Sequence, residues 1–254
     1  MSQPNDKFSG ARDPLGARIK ENYENRTRFL LPRRSHTILR ADGKAWHSFC
    51  RKLNKPFDME LIADYDAAII NTLKHLQGAQ FAYVQSDECS VLLTDFEKEN
   101  SDAWFDGNIQ KMTSVSASIL TAEFNRCRVK RIGVDAPLAF FDARVFTIPD
   151  PIEVYNYFIW RWKDCSRNSV SMVAQSLYPH KELQNKSTSA LQEMIFQKGI
   201  NWAKYDESLK NGRFIIKETY QKDGATRSHW VVVPAWKLTA DPDKLKSMIP
   251  KYPA

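Results

Sequence analysis

The order in which strand-like and helix-like segments follow one another constrains this chain more than any single residue does. His36-Thr-Ile-Leu-Arg40 is a short β-prone run ending in Ala-Asp-Gly at 41–43, a strand running into a turn. Lys44 to Leu53 reads as a short helix closed by Asn54-Lys-Pro56. From Met59 to Leu76 apolar residues recur at 61, 62, 65, 68, 69, 73 and 76, which is helical spacing, and Gly78 stops it. Ala79 to Val84 reads as a strand, Gln85-Ser-Asp87 as a tight turn and Cys89 to Leu93 as the return strand. A helix over Ile109 to Phe124 and a strand over Leu138 to Ile148 complete the order β–α–β–β–α–β over residues 36–148. This is the split-βαβ, ferredoxin-like order, an α+β antiparallel sheet.

After Pro151 the pattern changes. Ile152 to Lys163 predicts a helix rich in aromatics, with Tyr155, Tyr157, Phe158, Trp160 and Trp162. Further helices are expected over 166–178 and 187–198, then a late hairpin from Arg213–Tyr220 to Trp230–Val233 around Asp223-Gly224. The expected division is an N-terminal arm and catalytic part over 1–150. A helical C-terminal part over 151–254 packs on it as one unit. Residues 1–20 carry few apolar positions and read as a tail. Arg26, Arg28, Arg33 and Arg34 follow it, with Leu30-Leu-Pro32 breaking any helix there.

Composition narrows the function classes. Hydrophobic residues make up 43% of 254, which supports a packed core and argues against disorder. No apolar run approaches the ~18 residues that a membrane span needs. The polar opening MSQPNDKFSGARDP lacks the apolar region of a secretory signal. Cys50, Cys89, Cys127 and Cys165 are scattered singly, without zinc spacing, and read as reduced thiols of a cytoplasmic protein. The net charge of +7 is compatible with a polyanionic partner.

Two acidic sites stand out once the strands are ordered. Asp42 ends the first strand, and Asp87 and Glu88 sit at the turn of the central hairpin. In a β–α–β–β–α–β sheet the first strand lies beside that hairpin, so the two sites meet. Carboxylates brought together repel unless a cation lies between them. Mg²⁺ suits them, because it takes oxygen ligands and keeps positions open for phosphates. Two such ions can hold the attacking and leaving oxygens of an in-line displacement. Gly43 allows close backbone approach. Asp-Gly is also a common turn and Ser-Asp-Glu a common hairpin tip, so spacing alone leaves both readings open.

The residues themselves carry a resemblance. Ile38-Leu-Arg-Ala-Asp-Gly-Lys-Ala-Trp-His-Ser-Phe49, Lys55-Pro-Phe-Asp58, Ala82-Tyr-Val-Gln-Ser-Asp-Glu-Cys-Ser90, Phe141-Asp-Ala-Arg-Val145 and Gly199-Ile-Asn-Trp202 resemble, in order, the motifs of the tRNA-His guanylyltransferase family. That resemblance implies a polymerase-like palm with a helical C-terminal part. It implies that Asp42 and Asp87 bind two Mg²⁺ ions with the Gly43 carbonyl completing one site, and that Glu88 supports the catalytic pair. Asp42, Gly43, Lys44, Ala45, Trp46 and His47, with Ser86 and Asp87, would contact the incoming nucleotide. Lys55, Asp58 and Lys111 match polar positions around nucleotide phosphates. The implied substrates are ATP, GTP or another nucleoside triphosphate, and tRNA, handled by a homodimer or homotetramer. The reaction it implies runs 3′ to 5′: ATP activates a 5′-monophosphate, which the 3′-hydroxyl of a nucleoside triphosphate then attacks.

The chain departs from the family's pattern at Phe57, where a polar residue is usual, and more extensively from its eukaryotic members after Cys165. Where those members carry His-Ile-Asn-Asn-Leu-Tyr-Asn, this chain reads Ser166-Arg-Asn-Ser-Val-Ser-Met172. That run resembles the guanylyltransferase-like branch associated with template-dependent repair of 5′-truncated tRNAs. The leading expectation is therefore templated repair, with addition of a single 5′ guanosine to tRNA-His as the alternative. A nucleotide cyclase, or a catalytically inactive RNA-binding protein, is the further alternative. Arg161, Lys163, Arg167 and Lys181 are candidate RNA contacts against the plainer reading of a solvated face. The aromatics at 155–162 would form core, an oligomer interface or a stacking surface for bases.

Overall fold

The computed structural model describes residues 13–253. The expected tail over 1–12 lies outside the described residues. The remainder of that stretch is not a tail, because Asp13 accepts from the Leu15 N–H and caps α1 (Pro14–Asn22).

Six antiparallel strands form one sheet: β1 (His36–Gly43), β2 (Ala79–Gln85), β3 (Glu88–Leu93), β4 (Phe141–Ile148), β5 (Arg213–Lys222) and β6 (Ala225–Pro234), in the order β4-β1-β3-β2-β5-β6. The first four carry the ferredoxin-like arrangement expected of a palm. Alternation along the strands explains the layers, since successive side chains point to opposite faces. Leu39, Ala82 and Val91 face α2 (Met59–Leu73) and α3 (Ile109–Ile132), where they meet Tyr65, Ile69, Leu120 and Phe124. Ile38, Phe81 and Leu92 face α4 (Pro151–Leu177) and meet Val154, Phe158 and Trp162. Most of the aromatic cluster on α4 is therefore core, and of its five members only Trp160 is largely exposed, at 53%.

The late hairpin is longer than expected and extends the palm sheet. Phe81 to Val84 of β2 pair with Ile216 to Arg213 of β5. At its tip Asp223 (φ 53°) and Gly224 (φ 74°) adopt the left-handed pair of a two-residue hairpin turn. Two helices also outrun their expected limits. α3 continues past Phe124 to Ile132, and one 27-residue α4 replaces the two helices expected over 152–163 and 166–178. In both cases a charged side chain occupies an inward position, which interrupts the apolar spacing without interrupting the helix. Arg128 on α3 is buried against Asp64 at 2.8 Å, and Arg161 on α4 is buried against Glu88.

The second half of α4 passes beyond the sheet and packs on α5 (Thr188–Gln197) through Val170, Val173, Ala174, Leu191 and Ile195. Phe57 joins this cluster, its ring 5.5 Å from that of Tyr205. The four cysteines are free. Among the described residues no helix is long and apolar enough to cross a membrane.

Candidate active site

The β1–β3 pairing runs from Thr37↔Leu93 to Ala41↔Cys89. Continuing that register sets Asp42 and Gly43 against Glu88 and Asp87 at the hairpin tip. Ser86, with φ 45°, turns the hairpin in two residues. Its partner Asp87 is anchored through its carbonyl, which accepts the Tyr65 hydroxyl at 2.6 Å. The side chain of Asp87 lies over Gly43. A Cβ on Gly43 would fall 2.9 Å from Asp87 Oδ2 and 2.7 Å from the Trp46 ring, closer than real Cβ contacts come. Only glycine fits beneath this carboxylate.

Burial, followed by the negative charge of Asp42, pushes the Asp87 carboxyl up to about 6. Asp87 thus feels Asp42 across the space between them. Glu88, by contrast, is spoken for. Arg161 donates from Nε to Oε1 and from Nη2 to Oε2, both at 2.6 Å, and Gln85 Nε2 donates to Oε1 at 3.2 Å. Arg161 also holds Asp164 Oδ2 at 2.9 Å and lies 4.4 Å from the centroid of the Trp160 ring.

Between hairpin tip and α4 opens a cleft of about 560 Å³, within the range of small-molecule sites. β1 and the hairpin give it Arg40, Asp42, Ser86 and Asp87, and α4 gives it Trp160, Arg161, Asp164 and Arg167. A metal there would meet two free carboxylates and the backbone oxygen of Gly43. That is too few for a closed zinc-type centre. Indeed, among the described residues no group of three or more His, Cys, Asp or Glu side chains is arranged to hold a metal. The set does suit Mg²⁺, which binds through one or two carboxylates and fills its octahedron with water and phosphate oxygens.

The other expected site residues divide. Lys44, Ala45 and His47 are exposed just beyond Asp42, whereas Trp46 packs among Phe49, Tyr65, Phe124 and Phe141. Asp58 is used at the start of α2, where it accepts from the Leu61 and Asn54 N–H groups at 2.8 and 3.1 Å. Lys55 donates to the Cys50 carbonyl. Lys111 is not brought to the cleft. It stands in the first turn of α3, which begins beside Leu31, at the end of the sheet where β3 finishes. That end is about 17 Å from the carboxylates along β1, at ~3.3 Å per residue. Arg161 is corrected too: it is not on a solvated RNA-facing surface but buried, with its guanidinium committed to Glu88. Lys163, Arg167 and Lys181 are exposed.

Sequence reasoning passed over Arg40 and Asp164. Arg40 lies two residues before Asp42, hence on the same face of β1, and its buried Nε has no hydrogen-bond partner. That period-two spacing was a usable signal.

Residues 17–149 match the family model described as tRNAHis guanylyltransferase. The chain belongs to the tRNA(His) guanylyltransferase family. A bacterial tRNA(His) guanylyltransferase-like protein in complex with ATP is 38% identical, with a TM-score of 0.85 over 92% of this chain and 98% of that one. One in complex with GTP is 36% identical, with a TM-score of 0.79 over 93% and 99%. The tRNA(His) guanylyltransferase of Debaryomyces hansenii is 29% identical over 218 residues, covering 78% of this chain and 80% of its own length. As a member of the guanylyltransferase family the protein is a nucleotidyltransferase. The matched guanylyltransferase region contains both carboxylates and ends just before α4, so the opposite wall of the cleft lies outside it.

Proposed function

We propose that this protein adds guanosine to the 5′ end of tRNA, tRNA-His foremost, with two Mg²⁺ ions held in the cleft by Asp42, Asp87 and the Gly43 carbonyl. One observation carries the reading: Asp42 on β1 meets Asp87 on the hairpin tip above a position that accepts no side chain. Bound there, Mg²⁺ supplies Lewis-acid stabilisation to the transferring phosphoryl group and lowers the pKa of the attacking hydroxyl.

The chain's own groups do the rest. Lys44, His47 and Ser86, exposed around the pair, hold the nucleotide's phosphates, with the backbone of Ala45 and Trp46 beside them. Arg167, exposed on the cleft rim, faces the RNA phosphates. Relatives seen with ATP and with GTP support both nucleotides as substrates. ATP adenylylates a 5′-monophosphate and pyrophosphate leaves. The 3′-hydroxyl of GTP then attacks the activated 5′ phosphorus, and AMP leaves. An RNA that already carries a 5′-triphosphate enters at the second step. Catalysis lies with residues 1–150, and 151–254 pack on them as the second wall. The protein acts in the cytoplasm as a homodimer or homotetramer; light scattering tests the assembly.

The names of the curated relatives support guanosine addition over the templated repair that the sequence suggested. Ser166-Arg-Asn-Ser-Val-Ser-Met172 favours the second reading, because it leaves α4 without the eukaryotic motif just where it borders the cleft. A 5′-extension assay separates them. Intact tRNA-His and 5′-truncated tRNAs of several identities are offered all four nucleoside triphosphates, with the base opposite the gap varied. Guanosine added to tRNA-His whatever lies opposite supports the first reading. An added base that follows the template supports the second, and a cyclic nucleotide or no product overturns both.

A further inference from the structure

Three carboxylates converge at the hairpin tip, yet only two are free. Continuing the register sets Glu88 directly opposite Asp42, and in the chain it follows Asp87. Nothing in its residue type would keep it from becoming a third ligand. A third carboxylate would bind a divalent cation more tightly, and it would occupy a coordination position that a phosphate oxygen needs.

We propose that Arg161 is a positioning residue that withholds Glu88 from the metal pair, so that Asp42 and Asp87 alone present free carboxylates to the cation. This rests on the metal reading of the cleft. The fork of Arg161 occupies both oxygens of Glu88 at 2.6 Å, the bidentate geometry that fixes a carboxylate's plane as well as its place. The fork is itself fixed. Asp164 holds its Nη2, Trp160 lies against its face, and its side chain is 7% exposed. Tyr157, Phe158 and Trp162 seat the same stretch of α4 on the sheet. Arg40 is the weaker partner: its Nε stands 4.0 Å from Glu88 Oε2, an ion pair without a hydrogen bond, so it does not fix the carboxylate's plane. Stability alone does not account for the pair, because well-packed apolar residues usually serve a buried position at least as well as an ion pair.

The test reads Mn²⁺ binding directly, from the free-ion signal in electron paramagnetic resonance, alongside turnover in the full-length protein. Arg161→Gln releases Glu88 and should tighten Mn²⁺ binding by about fivefold or more, as one added negative charge a few ångströms away requires. Its turnover should nevertheless fall. Glu88→Gln removes one negative charge beside the pair, leaves Arg161 paired with Asp164 alone, and should weaken Mn²⁺ binding. The double variant Glu88→Gln/Arg161→Met removes both charges and should return the affinity to that of the wild type. A variant that only damages structure would lose affinity and turnover together. Should Arg161→Gln fail to fold, Glu88→Gln and the double variant still decide the sign. Unchanged or weaker Mn²⁺ binding in folded Arg161→Gln overturns this inference alone, as does tighter binding in Glu88→Gln. A wild type that binds no Mn²⁺, or binds it regardless of Asp42→Ala, overturns the metal reading itself and this inference with it.

Discussion

At the scale of single residues, Gly43 and Asp87 make the sharpest demands. A methyl group on Gly43 would displace the Asp87 carboxylate or the Trp46 ring, so Gly43→Ala should lower nucleotide addition by about a hundredfold, the cost of misplacing reacting groups by roughly 1 Å. Its melting temperature should also fall, because the Trp46 ring that must give way is packed among Phe49, Tyr65, Phe124 and Phe141. Asp42→Ala and Asp87→Ala should each abolish addition with RNA binding retained, and a loss of only a few-fold in a primer-extension assay would remove them from the metal site. Asp87 also gives a pH signature. Its carboxyl titrates at about 6 in the folded protein, above the usual ~3.9 of an unfolded chain. The folded state therefore binds more protons between those values. The stability this group contributes is complete below ~4 and is lost as pH rises through about 6. In metal-free protein Asp87→Asn should stabilise the fold by about 1–3 kcal/mol at pH 7.5, with the gain shrinking towards pH 4. Thermal melts across that range check it, and a gain that grew on acidification would contradict the assignment.

At the scale of elements, what could be read in the sequence depended on whether inward positions were apolar. The strands were legible because Ile38, Leu39, Phe81, Ala82, Val91 and Leu92 alternate between two buried faces. The far half of α3 and the continuity of α4 were not, because Arg128 and Arg161 stand where apolar residues were expected and satisfy their charge across the fold. A single sequence does not say that Asp64 waits for Arg128. Asp64→Ala would leave that arginine buried and unpaired, and should destabilise the fold by about 3–5 kcal/mol in urea titration. The site divides the same way. Asp42 and Asp87 follow from strand order. The engagement of Glu88 does not, because its partner lies 73 residues away on an element outside the palm motif. Lys111 shows the opposite case. Resemblance suggested a phosphate contact, but in this topology the second helix starts at the end of the sheet away from the hairpin tip. Topology alone argued against bringing Lys111 to the carboxylates.

At the scale of the whole molecule, the β2–β5 ladder and several long-range side-chain ties hold the C-terminal half on the palm, among them Arg161 to Glu88, Arg213 Nε to Asp66 at 2.8 Å, and Tyr83 Oη to the Asn211 carbonyl at 2.6 Å. A net charge of +7 and exposed Arg167 and Lys163 suit contact with RNA phosphates. Affinity for tRNA should therefore fall as salt rises, with a log–log slope of nearly one per phosphate neutralised, by analogy with duplex DNA. Filter binding between low and moderate salt checks this, and a flat profile would exclude a phosphate-tracking surface. α4 sets one further condition on such a molecule. It is an unbroken rod of 27 residues, about 40 Å long. Phe158 clamps it to the sheet, Arg161 points into the cleft, and Val170 and Val173 carry α5. Because each residue advances the helix by about 100°, one residue inserted between Arg161 and Val170 would spin the whole outer half about its axis and aim its apolar face at solvent. Drift in chain length is therefore barred from that stretch, and must be taken up in the connection between Tyr178 and Ser187, on either side of the short helix His180–Leu183.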